Sequence, residues 1–285
     1  MRPVAVALLG RGVVDPATPV LTADDAALAR GLAAFETVRV YGGRIFALDE
    51  HLDRLRGSAE RLGLPHVARS DLEELGAQAL AASGLAEAGL RLYWTGGREG
   101  GGATAIATVT PVPPDTEALR ARGLRVASLE LGIDREVRAR APWLLAGVKS
   151  TSYAVHVAAV AEAVRRGADD ALLLATDGTV LEGAMSNVWW RRGGVLRTPG
   201  LETGILAGVT RAHLLRLAPS AGFRVEEGAW PLDEVTGADE VILSSSVREV
   251  VGVIDVDGRT IGDGRPGGGA QALQAALRAE ATQVG

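Results

Sequence analysis

The chain has 285 residues, 47% hydrophobic and 23% charged, with a formal net charge of −5 and no cysteine. That length is long for one hydrophobic core, so one large or two medium domains are expected. The acidic balance gives no footprint for nucleic acid or an anionic membrane, the missing thiols exclude disulfides and thiolate metal sites, and no apolar run suits a secretory signal or a membrane span, so a soluble cytoplasmic protein is expected.

In chain order, Glu36 to Tyr41 and Arg44 to Leu48 flank Gly42-Gly43, and because glycine tolerates the positive φ of a primed turn a tight β-hairpin is predicted. Leu52, Leu55, Ala59 and Leu62 recur at helical spacing and place Asp49 to Leu62 on an amphipathic helix. A second helix is predicted to open at Ser70, which has capping-box spacing to Glu73. Strands fit Arg91 to Trp94 and Thr104 to Thr110, and the Pro111-Val112-Pro113-Pro114 cluster then marks a domain boundary. The expected layout is a small domain over 1–114, a linker over 115–122 and a larger domain over 123–285. Beyond the linker, Arg125 to Leu129 reads as a strand and Tyr153 to Arg166 as an Ala/Val-rich helix stopped by Gly167. Asp170 to Leu174, Asn187 to Arg191 and Val195 to Arg197 read as strands, with turns at Asp177-Gly178 and Gly193-Gly194. A helix over Val209 to Leu217, strands over Glu240 to Leu243 and Val250 to Asp255, and a terminal Ala-rich helix complete the pattern. Strands and helices mixed in both halves argue for two α/β domains.

Some matches carry little. Gly262, Gly264 and Gly267 spell G-x-G-x-x-G, but a dinucleotide site needs a whole βαβ unit and an acidic residue about twenty positions on, and only 18 residues follow Gly267. His51, His66, His156 and His213 have no metal-ligand spacing and read as surface or packing residues. In Asp24-Asp25 and Asp169-Asp170 adjacent side chains diverge on a regular element, so these read as solvated or capping.

Of the 30 Lys and Arg side chains, Lys149 is the single lysine. A guanidinium stays protonated in a protein, whereas a desolvated ammonium can lose its proton and attack a carbonyl. Leu144-Leu145-Ala146-Gly147-Val148 is an apolar approach able to desolvate it. A lysine left over by chance in an arginine-rich composition is the alternative. Further on, Glu182 sits in LEGAMSN, GILAGVTR places Gly208, Val209 and Thr210 at a helix start suited to phosphate, and Ser244-Ser245-Ser246 could donate hydroxyls to the same anion.

In this order and spacing, FETVRVYGGRIFALDEHLDRL, GVKSTSY, ATDGTVLEGAMSNVWW, GILAGVTR and LSSSVREVVGV resemble the fold-type IV pyridoxal-phosphate family. That family includes branched-chain and D-amino-acid aminotransferases, (R)-selective amine transaminases and aminodeoxychorismate lyases. The resemblance runs from about Phe35 to Gly264. It implies an α/β (α+β) fold with a smaller N-terminal α/β domain and a larger C-terminal mixed-sheet, barrel-like domain, assembled as a homodimer. It also implies pyridoxal 5'-phosphate as cofactor and small-molecule amine, amino-acid and keto-acid substrates.

Carried over position by position, the resemblance makes Lys149 the lysine of the internal aldimine and the proton carrier at the substrate α-carbon. Glu182 matches the acid that keeps the pyridine nitrogen protonated, Arg54 the arginine of the phosphate, and Gly208, Val209, Thr210 and Ser246 the rest of the phosphate cup. Tyr153 lies near a tyrosine that contacts the cofactor's phenolic oxygen. The substrate side departs from the pattern. Gly89-Leu90-Arg91 stands where branched-chain enzymes carry Tyr-x-Arg, and Gly101-Gly102-Ala103 where D-amino-acid enzymes carry an Arg-x-His trap. Thr37 resembles a lyase position whose hydroxyl could assist pyruvate elimination, and equally suits (R)-amine transaminases or a plain β-former. Arg39, Arg91, Arg98 and Arg248 are the candidate carboxylate-binding cations, and Val247-Arg248 falls where family members present backbone amides to that carboxylate. The expected activity is a PLP-dependent transamination, with aminodeoxychorismate lyase as the alternative.

Overall fold

The computed structural model describes residues 2–283, and its chain divides into two units: Met1–Pro113 with Val148–Tyr153, and Pro114–Gly147 with Ala154–Gly285. The first crossing falls inside the proline cluster. Val148–Tyr153 returns to the first unit, which the sequence pattern does not announce, and in place of the expected linker stands a helix, Thr116–Arg122, with Leu119 packed on the core of the second unit.

In the first unit, β1 (Ala5–Leu8), β2 (Gly12–Val14), β3 (Ala33–Tyr41), β4 (Arg44–Ile45), β5 (Ala88–Thr95) and β6 (Thr104–Pro111) form an antiparallel sheet in the order β2-β1-β6-β5-β3-β4. The β3–β4 hairpin closes with Tyr41 opposite Arg44, and Gly42 and Gly43 take φ of 54° and 79°, both in the region that favours glycine. β4 stops at Ile45, short of the expected Leu48: the Phe46 N–H still donates to the Arg39 carbonyl in the hairpin's register, but Ala47 turns to φ 52° and a helix begins at Leu48. Helices α1 (Ala26–Arg30), α2 (Leu48–Arg61) and α3 (Arg69–Ser83) complete the unit. Leu52, Leu55 and Ala59 of α2 and Leu72, Leu75 and Ala79 of α3 share one core with Val38, Val40, Leu90 and Leu92 of the sheet. The capping box at Ser70 does not form: α3 begins at Arg69, Ser70 lies inside it, and Glu73 accepts a hydrogen bond from Arg69 at 2.8 Å.

In the second unit, β7 (Leu124–Glu130), β8 (Asp170–Leu174), β9 (Val180–Gly183), β10 (Asn187–Arg192), β11 (Val195–Pro199), β12 (Arg224–Gly228), β13 (Glu240–Ser245) and β14 (Glu249–Val256) run in the order β12-β11-β10-β13-β14-β7-β8-β9, with β15 (Arg259–Thr260) on β14. The β11–β12, β14–β7 and β7–β8 pairs are parallel and the others antiparallel. β9, at one end of this path, lies against β10 and β11, so the mixed sheet curls back toward itself. Around it stand α4 (Thr116–Arg122), α5 (Arg135–Arg140), α6 (Ala154–Arg165), α7 (Val209–Leu217), α8 (Leu232–Thr236) and α9 (Gly268–Gln283). The glycine-rich approach to α9 serves a turn and a carboxylate, not a nucleotide: buried Glu240 accepts the N–H groups of Gly269 and Ala270 at 3.0 and 2.7 Å. Among the described residues no helix is long and apolar enough to cross a membrane.

Candidate active site

In the first unit, Lys149 lies on a short strap along β3. The Phe35 N–H donates to the Lys149 carbonyl at 3.0 Å, the Thr151 N–H to the Ala33 carbonyl at 2.8 Å, and Ser150 bridges to Ala34. The Lys149 N–H donates to Ser58 Oγ of α2 at 3.2 Å. With its main chain pinned on two sides, Lys149 sets Nζ 4.3 Å from the Phe35 ring centre and 5.8 Å from that of Tyr153. Phe35 in turn packs edge-on to Tyr153 at 5.3 Å and stacks on Tyr93 at 6.1 Å. An ammonium over an aromatic face gains on the order of 0.5–2 kcal/mol. These rings lie around the amine, whereas Leu144 of the preceding apolar run is 38% exposed.

Side chains alternate along β3, so Phe35, Thr37 and Arg39 share the face opposite Ala34, Val38 and Val40. Thr37 is the direct cross-strand partner of Arg91, beside the Phe35–Tyr93 pair, and Arg91 is exposed. Arg39 is committed elsewhere: it is 4% exposed, donates to the carbonyls of Val40 and Ala88 at 3.0 and 3.1 Å, and pairs with Glu87. It holds the sheet edge through these partners. Arg98 is exposed and pairs with Asp24 at 3.2 Å, while the neighbouring Asp25 is buried and caps α1 through the Ala27 N–H.

A charged group occupies the apolar face of β3. Glu36 is fully buried, and Arg54 of α2 forks onto it through Nε and Nη2, each at 2.7 Å. His51 Nδ1 lies 2.8 Å from Oε2, and the Thr37 N–H donates to the same oxygen at 3.3 Å. Burial pushes the Glu36 pKa up, but Arg54 and then His51 outweigh it and hold it at about 2. Burial holds His51 below its ordinary value, against the opposing pull of Glu36. His51 is therefore neither a surface residue nor simple packing, and of the other histidines His66 is exposed while buried His213 places Nδ1 2.6 Å from Glu280.

In the second unit, Glu182 on β9 accepts the Leu206 N–H at 3.1 Å, and its other oxygen is 4.0 Å from Arg138 Nη2. Arg138 donates to the Gly204 carbonyl at 2.8 Å; burial lowers its pKa while Glu182 pulls it up. Asn187, at the start of β10, donates to the Leu206 carbonyl at 3.0 Å. Two side chains thus hold both main-chain groups of Leu206 and aim the chain into α7. Gly208 is the N-cap, and a Cβ there would lie 1.9 Å from Asn187 Oδ1, so only glycine fits without movement. α7 has no side-chain cap, and its first N–H groups, at buried Val209 and Thr210, point where a helix start attracts an anion.

α7 packs on β13, which leads into the half-buried Ser246 and Val247. Ser244 Oγ is taken by Trp189 Nε1 at 2.9 Å, so of the serine triplet Ser244 is structural. Arg248 Nη2 donates to buried Asp170 at 2.7 Å, and the Arg248 carbonyl accepts Arg120 Nε at 3.0 Å. Its guanidinium is thereby drawn away from the carboxylate-binding role expected of it. The Asp169–Asp170 pair does diverge, but Asp170 is buried under Arg248 rather than solvated, while Asp169 pairs with Arg122 at 2.8 Å. Glu249, fully buried at φ 59°, is clamped by Arg120 at 2.7 Å, Arg278 at 3.1 Å and Gln274.

Glu36, His51, Asn187 and Arg138 escape the sequence reading. Glu36 alone carried a signal, being charged in the apolar phase of a strand whose next helix bears His51 and Arg54 three positions apart.

The family model described as amino-transferase class IV matches residues 33–256. The chain is 35% identical to the bifunctional aminodeoxychorismate lyase / D-amino acid transaminase of Mycobacterium tuberculosis, over 90% of this chain and 92% of that protein. Among solved structures, a fold IV transaminase from Curtobacterium pusillum superposes with a TM-score of 0.88 at 34% identity, covering 96% of this chain and 97% of that one. The PLP-bound form of a hypothetical aminotransferase from Mycobacterium tuberculosis superposes with a TM-score of 0.90 at 32% identity, covering 97% and 98%.

Proposed function

The chain belongs to the class IV aminotransferase family, and from that premise we propose that it exchanges an amino group between an amino acid or amine and a 2-keto acid, using pyridoxal 5'-phosphate. The observation that carries this reading is the single lysine, its main chain pinned to β3 and α2 and its Nζ over Phe35. The donor set suits the cofactor: one amine, a half-buried carboxylate at Glu182, a mostly buried guanidinium at Arg54, and an uncapped helix start preceded by a glycine that a Cβ would crowd. When bound, the cofactor supplies an electron sink for the charge that develops at the substrate α-carbon.

Lys149 Nζ would hold the cofactor through its aldehyde carbon and would carry the proton taken from the substrate α-carbon. Glu182 keeps the proton on the pyridine nitrogen. Arg54, the N–H groups of Val209 and Thr210 and the Ser246 hydroxyl bind the phosphate, a planar fork and aligned dipoles being suited to a dianion. Tyr153, next to Phe35, serves the phenolic oxygen. The substrate carboxylate is met by Arg91 with Thr37, by Arg98, or by the main-chain amides of Val247 and Arg248, while Arg39 and the Arg248 guanidinium are engaged in structural pairs.

A second reading, aminodeoxychorismate lyase, is supported by the bifunctional relative and by Thr37 standing on the Phe35 face. A panel of L-, D- and achiral amines, scored by spectral conversion of the bound cofactor, tests transamination. Pyruvate released from aminodeoxychorismate without a keto acceptor would favour the lyase instead. Protein that stays colourless with PLP and unreactive to borohydride would refute both. A cytoplasmic homodimer is part of the same reading, supported by the family's habit.

A further inference from the structure

Arg54 holds a nearly buried cation at the end of a flexible side chain, and an arginine there has rotamers to lose before it can meet a phosphate. Glu36 removes that freedom. Its two oxygens take the Nε and Nη2 protons side-on, and the carboxylate plane is itself set by His51 and by the Thr37 N–H. The side-on fork aims the opposite edge of the guanidinium, Nη1 with the second Nη2 proton, in a single direction. Every partner lies within one unit, on β3 and the first half of α2.

We infer that Glu36 is the positioning residue of the cofactor's phosphate site: anchored by His51, it locks Arg54 so that the end-on edge is set for a phosphate dianion before the cofactor arrives. The inference rests on the reading of Arg54 as the phosphate arginine. Charge and orientation act in opposite directions here. The Glu36 carboxylate subtracts from the local positive potential, so if charge alone mattered its removal would tighten an anion. If orientation matters, removal loosens it, because the amide introduced by Glu36→Gln would turn an N–H toward one of the two Arg54 donors and break the fork. The same logic covers Glu36→Asp, which keeps the charge but is one methylene too short to make both bonds.

The test titrates apo-protein with PLP and with pyridoxal, which has the same aldehyde and no phosphate. Glu36→Gln and Glu36→Asp are each expected to raise the PLP Kd about 10- to 100-fold, the worth of a charge-assisted hydrogen bond, and to leave the pyridoxal Kd within about twofold. In an Arg54→Leu background the Glu36 substitutions should add nothing. The phosphorus resonance of bound PLP should stay flat between about pH 5.5 and 8.5 in the parent and titrate near 6 in the variants, as a phosphate released from a fixed cation does. Unchanged or tighter PLP binding overturns the inference, and so does equal weakening of both aldehydes, the mark of a merely structural role. A parent protein that forms no borohydride-reducible bond with either aldehyde sinks the functional reading itself. PLP affinity indifferent to Arg54→Leu sinks the Arg54 assignment, and this inference with it, while leaving the lysine reading standing.

Discussion

Gly208→Ala adds a single methyl group at the start of α7. Gly208 has φ −64° and ψ 129°, which any residue adopts, so the backbone carries no penalty and the whole effect is spatial. The new Cβ would lie 1.9 Å from Asn187 Oδ1 and 3.1 Å from Arg211 Cβ. The helix start moves away, at about 1–3 kcal/mol for an overpacked methyl, and Asn187 rotates and gives up its 3.0 Å bond to the Leu206 carbonyl, at about 1 kcal/mol more. A total of about 2–4 kcal/mol corresponds to a Tm lower by roughly 4–16 °C in a chain of this size. Asn187→Ala removes the obstacle. Thermal unfolding of the parent, the two single variants and the double variant should show that Gly208→Ala costs less than about 1 kcal/mol once Asn187 is gone. Equal losses in both backgrounds would refute the steric account of this glycine.

Lys149→Arg keeps the charge and should abolish the borohydride-trapped bond and turnover together; substantial remaining turnover would refute the role of the amine. Glu36 ionises at about 2 in the folded chain against an ordinary 4.5, so its contribution, on the order of 3 kcal/mol, is complete above pH 4.5 and lost as pH falls toward 2. The stability gap between the parent and Glu36→Gln in denaturant titrations should therefore narrow below about pH 4.5, and a pH-independent gap would contradict the pairing. Arg39→Ala should lower stability by about 1–3 kcal/mol through loss of its buried hydrogen bonds to the Val40 and Ala88 carbonyls and of its packing over Tyr41, with KM for a carboxylate substrate unmoved, whereas Arg91→Ala should raise that KM about tenfold. Glu249→Gln leaves Arg120 and Arg278 facing a neutral amide and should cost about 3–5 kcal/mol by chemical denaturation.

The legible parts of the fold are those whose signal is local. Gly42-Gly43 announces its hairpin because the turn needs two positive φ values, and α7 occupies the predicted Val209–Leu217 because Gly208 precedes an unbroken helical run. β1 and β2 are too short to show alternation, and β12 carries Arg224, Glu226 and Glu227 as a charged edge strand that earns its place only by pairing with β11. The site followed the same division. Lys149, Arg54 and Glu182 stood out through chain order and spacing, but which arginines remain available for substrate depended on distant carboxylates. Nothing near Arg39 in sequence points to Glu87, and nothing near Arg248 points to Asp170. The Ser70 capping box had the correct spacing and still lost, because Glu73 found Arg69.

The strap that carries Lys149 also sets the rules for rebuilding this protein. The polypeptide passes between its two units after Pro113, after Gly147 and after Tyr153. A chimera joined once at the proline cluster, the junction that composition recommends, would lay one parent's Lys149 strap against the other parent's β3. Transplanting the first unit intact takes three junctions, and a fragment ending at Pro113 would leave the Phe35 N–H and the Ala33 carbonyl without the strap that now pairs with them.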